Sequence, residues 1–87
     1  MKPESVKIPK GNFYVGFPKS YQEIQTYGAE LLAGKAVIIN LSSMLEPEQE
    51  QCRTFMSGIS FATKGKMQEV SSDIILLVPP GMELHTS

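Results

Sequence analysis

Apolar positions along this chain fall into two unbroken runs, one alternating stretch and two stripes at helical spacing. The run Lys35-Ala36-Val37-Ile38-Ile39-Asn40-Leu41 is rich in β-branched residues and lies between Gly34 and Ser42-Ser43. Alternation would mark a strand with one wet face, whereas a continuous run marks a strand covered on both. Seven residues between turn signals are too few for a buried helix, so this stretch reads as the central strand. Ile74-Ile75-Leu76-Leu77-Val78, stopped by Pro79-Pro80-Gly81, is a second run of the same kind. Within 12–17, Phe13, Val15 and Phe17 recur at period two and Pro18 follows, which predicts a first strand.

Ser20-Tyr21-Gln22-Glu23 fits a capping box, with the serine hydroxyl accepting the Glu23 amide and the glutamate reaching back. Behind it Ile24, Tyr27, Gly28, Leu31 and Leu32 form an apolar stripe, and Gly34 supplies a left-handed stop. A helix over Tyr21–Ala33 is expected. Glu46-Pro47 opens a second helix, with proline at the first helical position. Cys52, Phe55, Met56 and Ile59 define its buried side, Glu48, Gln49, Glu50, Gln51 and Arg53 its outer side, and Gly58 its end. Residues 59–63 and 66–70 then alternate around Lys64-Gly65 and read as a β-hairpin. Ser71-Ser72-Asp73 turns the chain into the second apolar run, and 82–87 form a tail or a short final edge strand.

The expected architecture is an α/β two-layer sandwich in the order β-α-β-α-β-β-β, with two helices packed on one face of a five-stranded mixed sheet. Residues 1–11, with Pro3, Pro9 and Gly11 among charges, read as an extended arm or linker, and 12–87 as the core domain. Two helices cover one face, yet the two apolar runs want both faces covered and no further chain is left to do it. A second copy of the chain is the economical cover, so a homodimer is expected.

Composition narrows the function classes. Eighty-seven residues make one small domain, whose core is marginal without outside help. A net charge of −1 argues against nucleic acid as principal partner, because phosphate binding shows as a basic excess. One cysteine excludes an internal disulfide and any zinc-finger spacing, which fits an intracellular chain. No apolar run approaches the roughly 18 residues of a membrane span. A soluble, cytoplasmic polypeptide is expected.

Residues for catalysis are scarce. His85 lies in the tail and Cys52 on the apolar side of a helix, where a packing thiol is the ordinary role. Glu46, Glu48 and Glu50 crowd a helix start and favour its dipole. Neither Gly34-Lys35-Ala36 nor Lys64-Gly65-Lys66 has the glycines of a phosphate loop. The reading is of a non-enzyme without cofactor or metal. Phe55 and Phe61, with Met56 between them, leave room instead for a groove that takes an apolar peptide. Arg53, Lys64 and Lys66 would then pair with acidic residues of that peptide.

The ordered residues resemble the C-terminal core domain of the SepF family, cell-division proteins that tie the tubulin-like FtsZ to the membrane. The matching stretches are Pro18 with Tyr21-Gln22-Glu23-Ile24-Gln25, the central strand, Phe55-Met56-Ser57-Gly58, Phe61-Ala62, Gly65-Lys66-Met67-Gln68-Glu69-Val70, Ser72-Asp73-Ile74-Ile75-Leu76 and Pro79. They span about Phe13 to Leu84. The resemblance implies a dimer, with assembly into higher polymers left open, and a groove for the C-terminal peptide of FtsZ. It places the protein at the division site on the inner face of the membrane. By position it implies Phe55, then Phe61 and Met56, as groove residues, Lys66 and Arg53 for charge, and Gly58 for self-assembly. The family's membrane-binding amphipathic helix has no counterpart in Met1–Gly11, so membrane contact is expected only through an anchor that this chain lacks. Thr54 stands where aspartate is common, and the acidic, amide-rich second helix departs from bacterial members toward an archaeal-type one. A small-ligand-sensing regulatory domain is the alternative, since small sandwiches of this kind also bind effectors.

Overall fold

The computed structural model describes the backbone of residues 7–9, 12–82 and 84–86 and the side chains of 12–82. In chain order the elements are β1 (Lys7–Pro9), β2 (Phe13–Gly16), a 3-10 turn (Tyr21–Glu23), α1 (Ile24–Leu32), β3 (Ala36–Asn40), α2 (Glu46–Thr63), β4 (Lys66–Glu69), β5 (Ile74–Val78) and β6 (Leu84–Thr86). The main sheet has four strands in the order β2-β3-β5-β4, and β1 pairs with β6 in a separate two-stranded ribbon. The expected arm over 1–11 lies outside the described residues except for β1, and the side chain of His85 lies outside them too.

β2 and β3 run parallel across α1, while β5 pairs antiparallel with both β3 and β4. The registers Val37↔Leu77 and Ile39↔Ile75 put four apolar side chains on one face. All four are buried with Ile24, Tyr27 and Leu31 of α1 and Cys52 and Met56 of α2 in a single core. The two apolar runs are therefore the two inner strands, as their continuous patterning predicts.

The sequence reading fails over residues 59–63. No strand forms there; α2 continues unbroken to Thr63, so the main sheet has four strands and not five, and the element order differs. Alternation over five residues suits a strand, but Ser60 is buried on the line of Cys52 and Met56 while Phe61 is 87% exposed. That is helical spacing carried two turns further. Gly58 consequently sits inside the helix without a positive φ. A helix-interior glycine costs only about 1 kcal/mol, too little to stop a helix that buries Ser60 just beyond it.

Both helices end in the same hydrogen-bonded turn. After α1, Gly34 takes φ +97°; its N–H bonds the Leu31 carbonyl and that of Lys35 bonds Glu30. The Lys35 ammonium adds a 2.6 Å contact to the Glu30 carboxylate. After α2, the N–H of Lys64 bonds Phe61 and that of Gly65 bonds Ser60. These are the paired bonds of a Schellman motif, which needs one left-handed residue. In α1 that residue is glycine; in α2 it is Lys64, at φ 63°. Replacing Lys64 by glycine relieves a left-handed side chain, and Lys64→Gly is expected to stabilise the domain by about 1 kcal/mol in urea unfolding. An unchanged or lower midpoint would contradict this.

Two smaller expectations also change. The capping box does not form: Ser20 makes no side-chain cap, and the Glu23 N–H bonds the Ser20 carbonyl in the 3-10 turn instead. At α2, Pro47 lies in the first turn as expected, and the Gln49 side chain caps the Met44 carbonyl at 3.0 Å.

The second face of the sheet is partly covered within the chain itself. Ala36, Leu76 and Val78 point away from the helices yet are buried, so the expectation that no chain remains for this face is only half right. Toward the β2 edge the face is open. Phe13 is 44% exposed, Val15 57% and Phe17 59%.

Candidate functional site

The outer wall of α2 carries two adjoining surface depressions that share Glu50. The more apolar, about 450 Å³, lies between the 3-10 turn and α2 and is lined by Tyr21, Glu50, Gln51, Thr54 and Phe55. Its floor is an edge-to-face pair, the Tyr21 and Phe55 rings being 6.2 Å apart at 82°. Local folding explains the pair: the 3-10 turn presents Tyr21 at the mouth of α1, and Gly28 lets α2 lie close. A Cβ on Gly28 would meet Ile59 Cδ1 at 2.9 Å and Phe55 Cε2 at 3.3 Å. Phe55 is thus half core and half surface, a geometry suited to gripping an apolar side chain.

The second depression, about 520 Å³, is polar and includes Glu46, Gln49, Glu50, Arg53 and Asp73. Arg53 sits among three acceptors there but makes a single hydrogen bond. Its Nε lies 3.2 Å from Glu69 Oε2 in an ion-pair contact whose angle does not make a hydrogen bond. One terminal nitrogen is 3.6 Å from Glu50 Oε1, and the other donates to the Ser72 carbonyl. The guanidinium thereby ties α2 to β4 and to the turn before β5.

The five residues that the resemblance assigns to a peptide groove do not converge. Phe55 lines the apolar depression. Met56 is completely buried in the core. Phe61 projects from the last turn of α2, and Lys66 lies on the sheet face opposite the helices, beside Val78. Arg53 belongs to the neighbouring polar depression. Gly58 lies on the exposed wall of α2, and a methyl group added there would meet nothing within 4 Å, so the helix is flat at this point. Sequence reasoning missed Tyr21, Gln51 and Thr54 as wall residues. Extending α2 to Thr63 would have shown Phe61 turned away from Phe55 and directed attention to the positions four before and one before Phe55.

Cys52 is inert. Its side chain is buried, 3.8 Å from Met44 Sδ. Burial and, secondarily, the Glu48 carboxylate push the thiol up to about 11, against a smaller opposing pull from Arg53. The folded state therefore holds this proton more tightly than the unfolded chain. The stability it contributes is present below about pH 9 and declines as pH rises from there toward 11. At pH 8, a thiol reagent should label the folded protein about 100-fold more slowly than the chain in guanidinium. Equal rates would mean that Cys52 is accessible.

Among the described residues, no group of three or more His, Cys, Asp or Glu is placed to hold a metal, and no helix is long and apolar enough to cross a membrane. Residues 14–84 match the family described as cell division protein SepF. The chain belongs to the SepF family. The SepF of Saccharopolyspora erythraea is 34% identical over 67 residues, covering 77% of this chain and 32% of that protein. The SepF of Exiguobacterium sibiricum is 32% identical over 85 residues, covering 98% of this chain and 52% of that protein. The chain spans about a third to a half of the length of these curated SepF relatives. Among solved structures, a SepF-like protein from Archaeoglobus fulgidus superposes with a TM-score of 0.74 at 14% identity, over 82% of this chain and 88% of that one. A second, from Pyrococcus furiosus, gives 0.63 at 19% identity, over 92% and 94%. Helices on one face of a mixed sheet are thus the fold shared with these SepF-like proteins, and the family to which the chain belongs is one of cell-division proteins.

Proposed function

We propose that this domain is a non-enzymatic, dimeric adaptor that binds the C-terminal peptide of FtsZ and helps to organise the division ring. The observation that carries the reading is the Tyr21–Phe55 depression on the outer wall of α2, in a member of a cell-division family. A half-exposed aromatic pair beside polar walls suits an apolar anchor from an extended or helical peptide. Dimer formation is supported by the open apolar edge at Phe13, Val15 and Phe17, a patch that a lone soluble domain rarely leaves bare.

Calorimetric titration with the C-terminal peptide of FtsZ from the same organism tests the first part, and light scattering tests the second. Saturable binding by a particle of twice the chain mass is expected. Phe55→Ala should abolish most of the heat and leave the dimer folded. No heat at about millimolar peptide, a range in which even weak peptide docking is visible, would sink the adaptor reading.

Gly58 is proposed to serve self-assembly through the flatness of α2 rather than through a special backbone conformation. Because a side chain there meets nothing within the fold, Gly58→Lys should leave stability within about 0.5 kcal/mol or raise it. It should lower any assembly beyond the dimer seen by sedimentation. A variant that unfolds instead would contradict the exposed placement.

A further inference from the structure

We infer that two copies of this domain join edge to edge, β2 of one pairing antiparallel with β2 of the other, so that two four-stranded sheets become one. This rests on the dimer reading above and names the mode of contact. β2 and β4 are the two edges of the main sheet, and they are built differently. β4 carries exposed Lys66 and Glu69, charges of the kind that discourage a further strand. From Asn12 to Pro18 there is no charge at all. The backbone of β2 is also set to accept a partner. The Ala36 N–H bonds the Asn12 carbonyl, and Tyr14 lies beside Val37 in parallel register. Backbone groups alternate in direction along a strand, so Tyr14 and Gly16 also turn theirs to β3, while Phe13 and Val15 turn N–H and C=O outward. Among the described residues, nothing bonds these outward groups.

The same two residues carry exposed apolar side chains on the face away from the helices, and Phe17, just past the strand, is exposed as well. Tyr14 points inward, its ring 5.2 Å from that of Tyr27. This pattern selects a second copy as the occupant. Residues directly opposite in an antiparallel pair share a face, so a register that matches odd positions with odd keeps the apolar row on one side. Centred on Val15, it sets Val15 against Val15 of the second copy and Phe13 against Phe17, and the outward groups of each pair exchange hydrogen bonds. The apolar rows of the two copies merge into one patch, and no like charges meet. Both helical layers then lie on the same side of the joined sheet, so the two Tyr21–Phe55 depressions open in one direction. Sheets stacked face to face would bury the same side chains, but would leave the outward backbone groups unpaired and turn the helices to opposite sides.

Amide hydrogen exchange of the intact chain separates the two modes, with light scattering alongside to report mass. In the dimer the Val15 amide should exchange at least about 100-fold more slowly than in an unstructured chain, as the Tyr14 amide bonded to β3 does in either mode. Cysteine coupling reads the register. Paired strands bring Cα atoms within about 5.5 Å, inside the reach of a disulfide. Mild oxidation should therefore couple Val15→Cys to itself, and an equimolar mixture of Phe13→Cys and Phe17→Cys should give mainly the mixed product. The native Cys52 is buried and takes no part. A particle of dimer mass whose Val15 amide exchanges at the unstructured rate overturns the strand pairing and leaves the dimer reading standing. A particle of monomer mass at about 0.5 mM protein overturns both. Self-coupling of Phe13→Cys in preference to the mixed product overturns the register.

Discussion

Gly65→Ala is expected to lose about 2–3 kcal/mol of unfolding free energy. Gly65 closes the turn that ends α2, and its N–H bonds the Ser60 carbonyl at 2.9 Å. A Cβ at this position would stand 2.5 Å from the Val78 carbonyl oxygen. That neighbour is backbone of an inner strand, so it cannot swing aside as a side-chain tip would. Either the turn opens, which frees the last carbonyls of α2, or β4 moves away from β5 where Lys66 pairs with Val78. Overpacking against a rigid neighbour typically costs 1–3 kcal/mol, and the lost turn bond adds to it. Urea unfolding with an unchanged m-value measures the loss. The contrast with Lys64→Gly is informative. Adjacent residues of one turn should respond in opposite directions, since one needs a left-handed backbone and the other needs empty space. A loss below about 0.5 kcal/mol for Gly65→Ala would mean that β4 yields freely.

Leu77→Ala should lose more, about 3–4 kcal/mol. Leu77 is fully buried on an inner strand, flanked in register by Val37 on β3 and Met67 on β4. Strands on both sides and helices above limit collapse around the deleted methyls, which places the site toward the upper part of the 2–5 kcal/mol range for such truncations. A domain of this size has roughly 5–10 kcal/mol in total. The variant is therefore expected to melt tens of degrees lower, close to the edge of folding at 37 °C. Circular dichroism melting shows it directly, and a shift under 5 °C would place Leu77 outside the cooperative core.

Much of the fold was legible because the strongest signals were also local ones. Continuous apolar runs identified β3 and β5 as inner strands, and the Ile24–Leu31 stripe with Gly34 placed the end of α1 within one residue, although its expected first turn, Tyr21–Glu23, is 3-10. The failure at 59–63 has a definite cause. Five alternating residues satisfy a strand and a helix end equally, and Gly58 tipped the choice toward a break. Only tertiary burial of Ser60 decides, and that is not a property of the segment. The ribbon of β1 and β6 was illegible for the same reason, because its pairing partners lie at opposite ends of the chain. The candidate site was legible at Phe55 alone. Met56 and Phe61 resemble groove residues in sequence, but a helical phase error cannot be seen until the helix length is known. Arg53 was recognised as a cation, yet its pairing with Glu69 depends on a fold-back that no spacing announces.

The length of α2 also governs how this domain reaches its native state. Val37 and Leu77, which face each other across the two inner strands, are forty positions apart along the chain. Closing so long a loop is entropically slow when the intervening chain is random. Eighteen of those positions become one rod of about 27 Å once α2 forms, which both shortens the search and returns the chain toward β4 and β5. Formation of α2 should therefore precede pairing of the inner strands. Helix-strengthening changes on its exposed wall would then act mainly by speeding folding, whereas truncations at the β3–β5 seam would act mainly by speeding unfolding.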